Sequence, residues 1–171
     1  MQEITIKPEE IIAPGINEFK SPDAVYYMWR EYVIGNPVII PKAVVMHQAV
    51  TRIYMHHIPE LEEFLEKNPD AKYFLLDGTH RGIAATLVNR DISAYRIMNT
   101  DDLGMVEYHR MNGNLPPGTE IQGNSLQEIC LNIKRHFEQE TRILTLRELT
   151  ADLVAKRMVP EYMRSHYRRA I

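Results

Sequence analysis

Asp77-Gly78-Thr79-His80-Arg81 sets a carboxylate, a residue without a side chain, a hydroxyl, an imidazole and a guanidinium in five consecutive positions. The residues before it, Lys72 to Leu76, read as a buried strand. Those after it, from about Gly82 to Asn89, read as an Ala-rich helix with Ile83, Ala84, Leu87 and Val88 on one side. A strand that passes through a short polar turn into a helix presents free backbone N–H groups at the helix N-terminus. With the helix dipole, these attract anions. Gly78 lets a ligand approach the backbone, and Thr79 adds a hydroxyl. His80 and Arg81 add positive charge, and Arg grips phosphate oxygens in two-pronged fashion. Asp77 is placed to orient a neighbour or to hold a magnesium ion near phosphates. The same residues admit a plainer reading, a turn braced by an Asp77–Arg81 ion pair with His80 partly buried. Residue chemistry alone leaves the two readings level.

The other constellations are weaker. His56-His57 followed by Glu60, Glu62 and Glu63 invites a metal reading, but Pro59 interrupts the spacing. No H-E-x-x-H or Cys/His pattern occurs, so these read as surface residues and no metal ligand set is assigned. His109-Arg110 reads as part of a solvated loop. No G-x-S-x-G elbow, Walker loop or G-x-G-x-x-G fingerprint is present.

The elements that must position the turn are legible in outline. Residues 3–6 alternate as a short strand, and Pro14-Gly15 marks a turn. Ser21-Pro22-Asp23 opens a helix that runs to about Gly35, with Val25, Met28, Trp29 and Tyr32 on its packing face. Val38 to Ile40 is strongly β-prone and is continued by Ala43 to Met46. Val50 to Met55 is a second β-type stretch. Pro59 to Asn68 is a short acidic helix, and Ile92 to Ile97 is a strand. The middle of the chain therefore reads as a βαβ-like unit. Asp101-Asp102 marks a helix start. Residues 111–124 are punctuated by Gly113, Pro116, Pro117, Gly118 and Gly123 and read as a linker. Capping-box spacing at Ser125/Glu128 and at Thr145/Glu148 starts two further helices, the second ending before Pro160.

Read in order, LLDGTHRGIAATLVNRDISAYRI resembles the core motif of the ParB/sulfiredoxin-like superfamily. In that motif an apolar strand leads into D-G-x-H-R and then a helix with paired small residues. The matching positions are Asp77, Gly78, His80, Arg81, Ala84 and Ala85. The opening ITIKPEEI, the helix Ala24–Val33 and GNPVIIP fit the family's first half in order. The resemblance covers about residues 3–100. It implies an α+β domain with a mixed sheet and packed helices that binds nucleotide phosphates at Gly78, Thr79, His80 and Arg81. ATP, ADP or CTP would be the ligand, with or without magnesium. Sulfiredoxin chemistry needs a cysteine where this chain has Thr79, and the one cysteine, Cys130, lies far downstream. Kinases of a free amino acid in this superfamily read D-G-H-H-R and use an early glutamate as general base. That resemblance would make Asp77, His80 and Glu18 the catalytic set acting on a small-molecule substrate. The alternative is a ParB-like DNA-binding or regulatory module that uses nucleotide as a switch.

Composition bounds these readings. The 171 residues, 44% apolar and 25% charged, suit one soluble globular domain with a short appendage. The expected division is a nucleotide-binding domain at 1–110, a linker at 111–124 and a helical extension at 125–171. Residues 1–76 hold 7 Lys/Arg and 11 Asp/Glu, and residues 125–171 hold 9 and 6. Nucleic acid is therefore expected only through the basic end, where RSHYRR contains Arg164, Arg168 and Arg169. No signal sequence or membrane span is read, and one cysteine suits a reducing compartment, so a cytoplasmic location is expected. A homo-oligomer is left open.

Overall fold

The computed structural model describes residues 1–13, 21–36, 40–55, 58–119, 121–139 and 142–170. In chain order these form β1 (Gln2–Ile6), a 3-10 turn (Pro8–Glu10), β2 (Ile11–Ala13), α1 (Pro22–Val33), β3 (Ala43–His47) and α2 (Gln48–Tyr54). There follow α3 (Pro59–Lys67), β4 (Tyr73–Asp77), α4 (Thr79–Leu87), β5 (Ile92–Ile97), α5 (Thr100–Met111), α6 (Leu126–Gln139), β6 (Leu144–Thr145), α7 (Leu146–Ala155) and α8 (Glu161–Ala170). The architecture is α+β. Among the described residues the six strands make one mixed sheet in the order β1-β5-β3-β4-β2-β6.

The sheet is covered on both faces. Side chains alternate along β3, and every residue from Ala43 to Met46 is fully buried. Ala43 and Val45 join α4, α7 and α8 through Ile83, Ala84, Leu146, Leu149 and Met163. Val44 and Met46 face the other way, toward Val106 of α5 and Ile129 and Cys130 of α6. A third cluster closes one end, where Ile12, Phe64, Phe74 and Phe137 meet. Burial on both faces explains why β3 and β4 read as continuous apolar runs.

Local signals hold well at the helix starts. The Ser21 hydroxyl accepts from Ala24 N–H with Pro22 in the first helical position. Thr145 and Glu148 form the expected capping box. Ser125 accepts from Glu128 N–H.

Four expectations are corrected. Val50–Met55 lies largely in a helix, α2, rather than a strand. His47 Nδ1 accepts from Ala49 N–H and turns the chain at the end of β3, so Val50 and Thr51 are buried on a helical face. The β4–α4–β5 segment is not a βαβ unit. β3 lies between the two strands, antiparallel to β4 and parallel to β5, so β4 and β5 run in opposite directions. His109 and Arg110 lie in the last turn of α5, whose start is capped by Asn99 and Asp102. The β3 strand begins at Ala43, and Ile40 is a bend. Pro14-Gly15, Glu18, Val38-Ile39 and His56-His57 lie outside the described residues.

The C-terminal residues are built into the sheet and its covering layers. β6 pairs antiparallel with β2, Ile12 opposite Thr145 and Ala13 opposite Leu144. Arg147 of α7 reaches back to the Glu9 carboxylate at 3.0 Å and to Asn89. Burial raises the Glu9 pKa, but a backbone hydrogen bond and Arg147 together bring it below its usual value. The described residues among 112–124 carry no helix or strand, yet Leu115 and Thr119 among them are buried. Among the described residues no helix is long and apolar enough to cross a membrane.

Candidate functional site

The 77–81 turn stands at the carboxyl end of β4. Helix α4 starts at Thr79, three residues earlier than the Ala-rich pattern suggests, because Gly78 adopts a left-handed φ of 111° and turns the chain directly into it. A side chain at Gly78 would be strained at that φ. Its Cβ would also lie 2.8 Å from Arg81 Nε and 2.9 Å from Ala43 Cβ. Gly78 is therefore required by the packing beneath the turn as well as by its backbone angle. No side chain caps α4. The starts of α1, α2, α5 and α7 each carry a side-chain cap, and that of α3, like α4, does not.

Arg81 lies beneath the turn, 5% exposed. Nη2 donates to Asp77 Oδ2 at 2.7 Å, and Nη1 donates to the Lys42 carbonyl at the entrance to β3. Burial pulls the Arg81 pKa down, and the Asp77 carboxylate and Tyr32 oppose that shift. A guanidinium keeps its proton in such settings. Asp77 Oδ2 also accepts from the Thr119 hydroxyl at 3.0 Å. Arg81 thus braces the turn against β3, while Thr119 fastens the 112–124 segment to the same carboxylate.

A cleft of about 380 Å³ opens over this frame. Asp77, Gly78, Thr79, His80 and Arg81 all border it, with Ile12, Met28 and Phe74 beside them. The facing wall comes from residues the sequence reading did not select: Ile121 and Gln122, and Ile129, Asn132, Ile133 and His136 of α6. Asn132 is held in place, its Nδ2 donating to the Gln122 carbonyl at 2.8 Å and its Oδ1 accepting from Arg135 at 3.4 Å. The cleft therefore has an uncapped helix start with a hydroxyl and an imidazole at one end. Its other wall is apolar with amide and imidazole edges, the usual make-up of a small-molecule site.

The structure brings together Asp77, Gly78, Thr79, His80 and Arg81. Glu18 lies outside the described residues. As for magnesium, Asp77 is the one carboxylate among the described residues lining the cleft, and its Oδ2 is engaged by Arg81 and Thr119. That donor set does not fit a resident cation, which takes several oxygen ligands. No group of three His, Cys, Asp or Glu among the described residues could hold a metal ion. Cys130 is fully buried on α6, 3.8 Å from Met46 Sδ, and burial pushes its thiol pKa up to about 11.

The signal for Thr119 and Gln122 was hidden because a Gly/Pro-rich stretch reads as a connection. For α6, the spacing of Ile129 and Ile133 shows a packing face but not what it faces. Comparison of the chain with protein-family models, with curated proteins and with solved structures found no match.

Proposed function

We propose that this chain is a nucleotide-binding protein of the ParB/sulfiredoxin-like kind, with phosphates seated at the start of α4 and the nucleoside against α6. The observation that carries this reading is the uncapped start of α4 opening onto a cleft whose opposite wall mixes Ile121, Ile129 and Ile133 with Gln122, Asn132 and His136. A helix start without a side-chain cap has backbone donors and positive dipole charge to offer an anion. The backbone at Thr79 and the Thr79 hydroxyl hold phosphate oxygens. The His80 ring offsets their charge. Arg81 acts through its brace: it fixes the turn rather than gripping the ligand. Ile129 and Ile133 supply a surface for the base, and Gln122, Asn132 and His136 supply polar edges.

In its sharpest form the protein transfers a phosphoryl group to a small molecule or to water. Such reactions draw most of their acceleration from positioning and charge stabilisation, which this turn supplies. Any magnesium would arrive on the nucleotide's own oxygens, in keeping with the engaged state of Asp77.

Calorimetric titration with ATP, ADP and CTP, with and without magnesium, tests the reading. Binding by at least one nucleotide is expected, weakened by Thr79→Val and by Asn132→Asp at unchanged melting temperature. Absence of binding by all three removes it. Binding without phosphate release or transfer would turn the reading toward a nucleotide-switched regulator.

A further inference from the structure

Five aromatic rings of α1 and α8, none of which lines the cleft, gather on one surface. Tyr26 stacks on Trp29 with ring centres 6.2 Å apart. Tyr162 meets Tyr26 edge-on at 5.9 Å and Trp29 at 5.6 Å. One turn further along α8, His166 meets Trp29 edge-on at 5.8 Å, and Tyr27 leans against Tyr26. The cluster is not closed over. Tyr27 is 62% exposed and Tyr162 50%. The Trp29 indole nitrogen is buried and has no hydrogen-bond partner among the described residues, so the ring is held by its neighbours' rings rather than by its polar edge. Five rings held against one another at a surface form a rigid platform that costs little entropy to present.

The charge of the same region is distinctive. Between Lys156 and Arg169 the chain carries five Lys/Arg and one acidic residue, Glu161, whereas the rest of the chain carries 15 Lys/Arg against 22 Asp/Glu. Arg164 pairs with Glu161, Arg30 with Glu31, and Lys156 with Asp152 at 3.7 Å. Asp23 lies near the Tyr162 hydroxyl. The Arg30 and Lys156 side chains are 52% and 56% exposed, and exposed pairs hold weakly, so a polyanion can compete for these two cations, whereas Arg164 is largely buried.

We propose that α1 and α8 form a binding surface for single-stranded nucleic acid, with bases against the open faces of Tyr27 and Tyr162 and the backbone along the basic segment that leads into α8. Aromatic platforms beside positive charge bind single strands with little sequence preference, because every base has a face to stack. A duplex hides those faces. This site is separate from the cleft and does not depend on the nucleotide reading.

The full-length protein is titrated with fluorescein-labelled dT20 and U20, read by anisotropy and by tryptophan emission. Trp29 is the only tryptophan, so its emission reports this surface directly. Binding of either strand is expected, with quenched emission and an affinity that falls steeply with salt, by a log–log slope of about 0.7 per phosphate contacted. An abasic strand of equal length should bind at least about tenfold more weakly, since each stacked base contributes. Tyr162→Ala should weaken dT20 binding by a similar factor. Tyr27→Ala, at a ring 62% exposed, repeats the test at a second position on the platform. Equal binding of the abasic strand, with no change in Trp29 emission, would overturn the proposal. So would binding to anionic vesicles but to neither strand. A dimer dissociated by Tyr162→Ala, with no affinity for either strand, would make the surface an interface between copies instead.

Discussion

Replacing Arg81 with alanine tests whether it is a brace or a ligand contact. The guanidinium is 5% exposed and satisfies Asp77 and the Lys42 carbonyl at once. Removing one partner of a buried ion pair costs about 3–5 kcal/mol, because the other charge is left without compensation. The lower half of that range applies here. The Asp77 side chain is 24% exposed and keeps its bond from Thr119. The orphaned Lys42 carbonyl adds about 1 kcal/mol. A total of about 4–5 kcal/mol, at about 2–4 °C per kcal/mol for a chain of this size, lowers the melting temperature by roughly 8–20 °C. Arg81→Lys keeps the charge but cannot span both acceptors, so it recovers only part. Scanning calorimetry reads the stability, and nucleotide titration well below the transition reads the ligand. A melting temperature within about 2 °C of the parent, accompanied by loss of nucleotide binding, refutes the brace and makes Arg81 a ligand contact.

Three other expectations follow from particular packing and protonation states. His47 and His109 both sit below the ordinary imidazole pKa. Burial is the chief cause in each; Arg96, Lys72 and Arg52 add to it at His47, and nearby positive charge that includes Lys42 adds to it at His109. As pH falls below about 6.5 the unfolded chain takes up these protons before the fold does, so stability is full above that value and declines beneath it. Melts between pH 7.5 and 5.5 should show the decline, and His47→Gln with His109→Gln should flatten it; a flat parent profile rejects the assignment. Cys130, with its pKa near 11, should react with Ellman's reagent at pH 8 at least ~100-fold more slowly in the native protein than in urea, and equal rates would contradict its burial. A methyl group at Gly82 would lie 2.5 Å from Leu146 Cδ2, so Gly82→Ala should cost about 1–3 kcal/mol. Adding Leu146→Ala should make the pair less than additive, and strict additivity in denaturant melts would show that the two do not touch.

Where local chemistry decides, the sequence was readable. Ser21, Ser125 and Thr145 start helices because a side-chain oxygen meets a nearby N–H, an event contained within four residues. The 77–81 turn was found because five adjacent residues carry its chemistry. What escaped depends on residues distant in the chain. Val50, Thr51 and Ile53 are β-branched and have strand propensity, but β3 takes its neighbours from β4 and β5, and the His47 cap turns the segment into α2. The placement of β3 between β4 and β5 is a long-range pairing with no local mark. The role of Arg81 was also undecided in the sequence. A guanidinium beside a helix start suits phosphate and ion pair equally, and only the positions of Asp77 and Lys42 O distinguish them.

The placement of α6 changes what the site requires. If residues 1–110 formed the nucleotide-binding unit and the rest were an appendage, the turn would be complete without the C-terminal half. Instead Thr119 holds the Asp77 carboxylate, α6 forms the far wall of the cleft, β6 extends the sheet beside β2, and Leu146 fits against Gly82 on α4. A fragment ending at residue 110 would expose Ile12, Met46, Phe74 and Ile83, all of which are nearly inaccessible in the whole chain. Such a fragment should therefore be less stable than the whole chain. The late segment therefore stands in the same structural relation to the cleft as the 77–81 turn does. On the proposed function, the turn would supply the anion-attracting end, and α6 the shape and polar edges by which one ligand is distinguished from another. On that division, changes at Thr79 should affect every phosphate-bearing ligand alike, whereas changes at Asn132 and His136 should alter the choice among them.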